Sequence, residues 1–289
     1  MAMSAGGSSL EEDVIRARAL VSTDWLQEHL EEVTILDIRG EVEKLPAEAD
    51  FVQTVYRPCK EDFLNGHIPG AEFVDWTADI VDPQSLVPVQ LSPKDLFEAA
   101  MEERGVCNDN TVVVYDNGNM LFATRLWWAL TYYGHKDVRI LNGGWKRWCA
   151  EERDISVDTE CPLKKYAEFN ARVELPSLRC VASDMREVIK KTSDACIVDA
   201  RNAAQFTSKE RRAKRSGCIP GATNIPYKRL INKEMGGYLR YCNGGVASTA
   251  VLFALWKLGI PLCNLSNYDG SWGEWGNQED DELYPVART

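Results

Sequence analysis

The chain carries one series of landmarks twice, in the same order. Leu36-Asp37-Ile38-Arg39 returns as Val198-Asp199-Ala200-Arg201, and Gly66-His67-Ile68-Pro69-Gly70-Ala71 returns as Gly217-Cys218-Ile219-Pro220-Gly221-Ala222. Tyr115-Asp116-Asn117-Gly118 returns as Tyr241-Cys242-Asn243-Gly244. Asn142-Gly143-Gly144-Trp145-Lys146-Arg147-Trp148 returns as Asp269-Gly270-Ser271-Trp272-Gly273-Glu274-Trp275. A self-similarity that keeps its order over this distance marks a duplicated domain. The 289 residues leave each copy long enough to bury a core of its own. The expected layout is one unit over 1–155, a linker over 156–177 with Pro162 and Pro176 and no clear period, and a second unit over 178–289.

Within each copy, short β-branched runs alternate with helical patterns. Thr34 to Ile38, Thr111 to Tyr115, Val138 to Leu141 and, in the second copy, Cys196 to Asp199 read as buried parallel strands. Ser92-Pro93 supplies an N-cap and a first-turn proline for a helix whose apolar face is Leu96, Phe97 and Ala100 and which Gly105 ends. Further helices are expected from Leu121 to Tyr133, from Ser183 toward Lys191, and from Ser248 to Leu258 with Gly259 as the stop. This alternation predicts an α/β fold, each unit a parallel sheet with helices on both faces.

Composition narrows the function. A net charge of −11 repels nucleic acid and anionic lipid, so neither is an expected partner. No run of about 18 apolar residues is present, and the first twenty residues lack an apolar signal core and are too acidic for a transit peptide. Nine cysteines, an odd number with no C-x-x-C pair, point away from a disulfide framework or a zinc site. They point to reduced thiols in a reducing compartment, the cytoplasm first and the mitochondrion second. Most of the nine are expected to be packing residues. The three histidines all lie in the first half, so a Cys–His hydrolase site in the second unit is excluded.

The G-x-I-P-G-A turns, the Y-C-N-G-G-V-A-S segment and the Y-D-G-S-W-x-E-W ending resemble the rhodanese family, in its tandem-domain form of thiosulfate and 3-mercaptopyruvate sulfurtransferases. The resemblance runs from about Leu20 to Trp275. It implies an inactive first unit, with Asp116 where a nucleophile would sit, and a second unit whose nucleophile is Cys242. It implies a sulfane sulfur carried from thiosulfate or 3-mercaptopyruvate to a thiol or cyanide acceptor through a Cys242 persulfide, with no metal or organic cofactor. Asn243, Gly244, Gly245, Val246, Ala247 and Ser248 form the loop after the cysteine. Adjacent glycines let that backbone curl with its N–H groups inward, and the following helix adds positive potential at its N-terminus. Both effects favour a thiolate and then the terminal sulfur of a persulfide. A related phosphatase would need arginine at position 248, where this chain has serine.

An anionic donor must overcome the global charge locally. Lys209 to Arg215 holds five basic residues and one acidic one just before the Gly217 turn. Arg211 and Arg212 are the candidates for gripping donor oxygens, since guanidinium offers a planar fork; the other reading is a solvated charged loop. Arg39 and Arg201 are expected to pair internally with Asp37 and Asp199. Trp272, Trp275 and Asp269 are expected to buttress the cysteine loop, and Trp127, Trp128, Trp145 and Trp148 to pack helices. The basic residues that thiosulfate-specific members carry directly after the cysteine are replaced by Asn243 and Gly244, and an arginine expected four residues beyond Arg201 is replaced by Gln205.

The second copy is short in one place. From Pro69 to Asp116 is 47 residues, but from Pro220 to Cys242 only 22. The missing 25 residues correspond to a helix and a strand. Either Tyr238 to Tyr241 replaces the strand or the second sheet has lost a member, and the alternative function is then a catalytically impaired rhodanese-like binding module.

Overall fold

The computed structural model describes residues 10–45, 53–158, 167–191, 195–229 and 239–288. The first unit contains β1 (Leu20–Val21), α2 (Thr23–Glu28), β2 (Thr34–Asp37), β3 (Gly40–Leu45), β4 (Gln53–Pro58), α3 (Lys60–Asn65), β5 (Ala71–Phe73), α4 (Lys94–Glu102), β6 (Val112–Tyr115), α5 (Leu121–Tyr132), β7 (Val138–Leu141) and α6 (Gly144–Ala150). A helix, α1 (Leu10–Arg18), precedes it. The second unit contains β8 (Arg179–Cys180), α7 (Ala182–Ile189), β9 (Ile197–Asp199), α8 (Ala203–Phe206), β10 (Thr223–Asn224), β11 (Leu239–Tyr241), α9 (Ala247–Lys257), β12 (Asn267–Tyr268) and α10 (Ser271–Trp275).

Both sheets are parallel, five-stranded and identically ordered. The first runs β1-β7-β6-β2-β5 and the second β8-β12-β11-β9-β10. Residues 230–238 lie outside the described residues, as do residues 159–166 of the expected linker with Cys161 and Pro162. The strand that feeds Cys242 is nevertheless present. β11 pairs Leu239 with Ile197 and Tyr241 with Asp199, and Arg240 with Asn267 on its other side. Of the two expected alternatives, the short replacement strand holds, as β11 at Leu239–Tyr241, and the lost sheet member is corrected; three residues suffice for a central strand here because β9 and β12 are themselves short.

Helix placement follows the sequence with local differences. Pro93 stands just before α4 and not inside it. Of the expected face, Phe97 is buried and Ala100 packs partly buried against the core, but Leu96 is half exposed, and Met101 at i+4 from Phe97 completes the apolar stripe. α5 is buried on every side, with ten of its twelve residues enclosed, the polar Thr124 and Arg125 among them.

Strand residues alternate between two cores, as the period of two requires. Leu36, Val112, Val114 and Ile140 face a core that also holds Leu252, Phe253, Leu255 and Trp256 of α9. Ile35, Val113, Tyr115 and Leu141 face an outer core with Phe63 and Trp148. The second unit has its own outer core around Met185, Ile197, Trp272 and Trp275. The inner core is thus common to both units. Its centre is α5 against α9, where the Trp127 ring lies 5.0 Å from Trp256 and 4.9 Å from Phe253. α1 adds a clamp from the chain's start: Glu12 accepts from Trp256 Nε1 and from the Leu262 amide, both at 3.0 Å. The described end of the expected linker belongs to this core too, through Phe169 and Ala171.

Burial shifts several acids upward: the Cys180 thiol and the Tyr133 phenol to about 12 and the Cys59 thiol to about 11. The folded chain keeps these protons where the unfolded chain has released them, so it binds more protons above pH about 9 and stability falls as pH rises from there toward 12. The urea midpoint is expected to be lower at pH 10.5 than at pH 8. An equal or higher midpoint at pH 10.5 would show that these groups do not couple to folding.

Candidate active site

The duplicated landmarks become duplicated contacts. Arg39 Nε donates to Asp37 Oδ2 at 2.8 Å, its Nη2 donates to the Gly66 carbonyl at 2.7 Å, and its guanidinium lies 4.4 Å from the Trp145 ring centre. Arg201 does the same with Asp199 (3.0 Å), the Gly217 carbonyl (2.7 Å) and the Trp272 ring (4.3 Å). Each pair ties the end of a central strand to the G-x-I-P-G-A turn. Both aspartates are fully buried and spoken for.

In the first unit, the loop between β6 and α5 wraps around the carboxylate of Asp116. Oδ1 accepts from the amides of Gly118 (2.8 Å) and Met120 (3.2 Å), and Oδ2 from those of Phe122 (3.0 Å) and Ala123 (3.2 Å). The loop is an anion cradle occupied by the protein's own side chain.

In the second unit the same loop follows Cys242, and α9 begins five residues after it, as α5 does after Asp116. Cys242 is 4% exposed. It is among the residues lining a cavity of about 350 Å³. The positions equivalent to Gly118, Met120 and Phe122 are Gly244, Val246 and Ser248, and none of their amides donates to another described residue. Their orientation follows from the outer side of the loop. Trp272 N donates to the Cys242 carbonyl at 2.8 Å and Gly273 N to the Asn243 carbonyl at 2.7 Å. In a planar trans peptide the N–H points opposite to the C=O, so the amides of Asn243 and Gly244 are turned inward. Ser271 Oγ accepts from the Cys242 and Gly245 amides, each at 3.0 Å, and itself donates to the Tyr268 carbonyl at 2.8 Å. Gly245 has φ +72°, and a Cβ there would lie 2.6 Å from the Asp269 carbonyl oxygen, so both conformation and space require glycine.

Ser248 Oγ lies 3.6 Å from Cys242 Sγ and 2.6 Å from Asn267 Oδ1. Asn267 Nδ2 donates to the Gly245 carbonyl at 3.2 Å, which fixes its oxygen toward the serine. The hydroxyl is thus held beside the sulfur by the strand next to β11.

Of the two arginine candidates, Arg212 lines the cavity and Arg211 does not. Arg212 Nε donates to Glu210 Oε1 at 2.6 Å, and its two terminal nitrogens have no partner among the described residues. Much of the remaining basic run is neutralised at the surface, with Lys214 on Glu279 and Arg215 on Asp281. Asn243, Gly244, Val246 and Ala247 line the cavity, and the Asn243 and Gln205 side-chain oxygens in it are buried without a hydrogen-bond partner among the described residues.

Several lining residues carry no signal in the sequence. Val42, Thr54 and Tyr56 arrive from the antiparallel hairpin β3–β4 of the first unit, and Tyr227 and Lys228 from the segment after β10. The packing around Tyr56 pushes its phenol up to about 12, and the neighbouring Cys242 adds to the rise; Tyr227 shifts upward for the same reasons. Both phenols therefore stay protonated at neutral pH and can donate hydrogen bonds to a donor or to the sulfur. Nothing in the periodicity of residues 40–58 shows that this hairpin reaches across to the second unit.

Comparison with known proteins agrees with the duplicated architecture. The sequence matches the family described as Rhodanese-like domain over residues 22–151 and again over 182–278. The 3-mercaptopyruvate sulfurtransferase of Escherichia coli is 34% identical over 290 residues, covering 92% of this chain and 98% of that protein. The sulfur carrier protein TtuD of Thermus thermophilus is 33% identical, covering 89% and 93%. The crystal structure of SseA, a 3-mercaptopyruvate sulfurtransferase of Escherichia coli, superposes with a TM-score of 0.71 at 32% identity, covering 88% of this chain and 99% of that one. Among the described residues, no helix is long and apolar enough to cross a membrane. With two matching sheets, two matching strand–loop–helix cradles and relatives similar over nine-tenths of its length, this chain belongs to the rhodanese family as a tandem-domain sulfurtransferase.

Proposed function

We propose that Cys242 relays sulfane sulfur from 3-mercaptopyruvate or thiosulfate to a thiol or cyanide acceptor, and that the first unit, with Asp116, carries no sulfur. The Cys242 thiolate attacks the outer sulfur of the donor. With thiosulfate, the donor S–S bond breaks and sulfite leaves with the electron pair. With 3-mercaptopyruvate, the C–S bond breaks, and the enolate that leaves takes a proton to become pyruvate. Either way a persulfide, Cys–S–S⁻, remains. An acceptor thiolate or cyanide then attacks the outer sulfur, and the Cys242 thiolate is regenerated. The chemistry is covalent and needs two half-reactions.

The observation that carries this reading is the pair of cradles. Where the nucleophile is replaced by aspartate, four amides hold its carboxylate. Where cysteine stands, three equivalent amides are without an acceptor among the described residues, which is the arrangement a persulfide anion or a developing sulfur charge needs. Initial rates with donor and acceptor both varied are expected to give parallel double-reciprocal lines; intersecting lines would contradict a persulfide intermediate.

Among the described residues that line the cavity, Arg212 and Lys228 are the cations available to donor oxygens, since Arg201 is committed to Asp199. A hydrogen bond to a charged group contributes about 1.5–3 kcal/mol. Arg212→Gln is therefore expected to raise the donor KM roughly 10- to 100-fold with a smaller change in kcat. An unchanged KM would remove Arg212 from the binding site.

A further inference from the structure

We infer that Arg125, in the unit without a nucleophile, is a positioning residue for the cradle of the other unit: it holds the Gly245–Val246 peptide with the Val246 N–H facing the sulfur. This rests on Cys242 being the sulfur-bearing residue. Arg125 projects from α5 and its side chain is 2% exposed. Its Nη1 donates to Asp269 Oδ1 at 2.7 Å and to the Gly245 carbonyl at 3.3 Å, and its Nη2 donates to the Val89 carbonyl at 2.8 Å. The guanidinium stacks 4.6 Å from the Trp128 ring centre, which keeps the fork in one plane.

Asp269 holds this fork in turn. Its Oδ2 accepts from the Leu91 amide and pairs with Arg179 Nη2, both at 2.9 Å, and its backbone carbonyl accepts from Gln90 Nε2 at 2.9 Å. One side of the cysteine loop is thereby fastened to the first unit at α5 and at residues 89–91. The consequence lies in one peptide plane. The carbonyl of residue 245 and the N–H of residue 246 point in opposite directions. Holding that carbonyl outward, with Arg125 on one side and Asn267 on the other, turns the Val246 amide into the cradle. The equivalent amide in the first unit, that of Met120, is one of the four on the Asp116 carboxylate. Arg125 does not line the cavity, so it acts on the transferring sulfur only through the loop.

Two variants and one spectroscopic readout test this. Arg125→Lys keeps the charge beside Asp269 but cannot span Asp269, Gly245 and Val89 together, and Arg125→Met keeps bulk without donors. Both are expected to fold and to lower kcat roughly 10- to 100-fold, the size of effect that misplacing one cradle donor has, with the donor KM within about threefold. In the unaltered protein the Val246 and Gly244 amide resonances are both expected to shift when the persulfide forms. In the variants the Val246 shift should shrink, because Asn267 alone then holds the Gly245 carbonyl at 3.2 Å, while that of Gly244 persists, because Gly273 still holds the Asn243 carbonyl at 2.7 Å. A wild-type kcat in either variant contradicts the inference, as do equal losses of shift at both amides. Failure of both variants to fold contradicts it too, since it would make Arg125 a structural tie between the units. Absence of a 32 Da gain on the unaltered protein is a different failure: it overturns sulfur transfer itself and leaves the loop geometry untouched.

Discussion

Cys242→Ser is expected to abolish persulfide formation and to lower turnover by at least about 10³-fold, with the melting temperature within about 2 °C of the unaltered protein. The contrast follows from what holds residue 242 in place. Its amide donates to Ser271 Oγ and its carbonyl accepts from Trp272 N, and neither contact uses the side chain. The substitution exchanges sulfur for oxygen at a site that is 4% exposed, so the packing loss is small. The chemistry is lost completely, because a serine hydroxyl is barely ionised at neutral pH and cannot carry a transferable sulfane sulfur. Single-turnover mixing with donor, followed by mass spectrometry and calorimetry, reads both quantities. Retained turnover would move the nucleophile elsewhere, and a large fall in melting temperature would make Cys242 a core residue first.

Trp256→Ala is expected to cost roughly 3–5 kcal/mol of stability, the usual range for removing a buried aromatic side chain. Trp256 is 1% exposed and sits where the units meet, against Trp127, Phe253 and the Arg16 guanidinium, with Nε1 donating to Glu12. Because this core takes residues from β2 and β6 of the first unit as well as α9 of the second, both units should lose stability together. Urea unfolding followed by near-ultraviolet circular dichroism should show one transition moved to lower denaturant. Two transitions, with only the second unit's displaced, would contradict a shared core.

The duplication was the most legible part of the molecule. Strands at 34–37, 112–115 and 138–141 stand where their β-branched runs place them. The paired motifs D-x-R, G-x-I-P-G-A and x-G-x-W each became a pair of superimposable contacts, because each is a local geometry with a local residue requirement. Cys242 and its loop were visible for the same reason. What the sequence concealed is whatever depends on how the units meet. Tyr56 reaches the cavity from a hairpin far from Cys242 along the chain, and Arg125 reads locally as one more residue of an apolar helix. Leu96 misled because propensity and hydrophobicity cannot tell which side of α4 faces the sheet. The short stretch before Cys242 left open whether a strand was replaced or lost, and parallel pairing on both sides lets three residues keep that place.

One measurement bears most directly on the central claim that the second cradle holds a sulfur anion on Cys242. The intact chain, treated with 3-mercaptopyruvate or thiosulfate, is trapped with an alkylating reagent, digested and analysed by mass spectrometry. The account predicts a gain of one sulfur atom on the peptide containing Cys242, lost when cyanide is added before trapping, with no added sulfur on the other eight cysteines. Sulfur on a different cysteine, or none on Cys242 in a chain that still melts cooperatively, would contradict it.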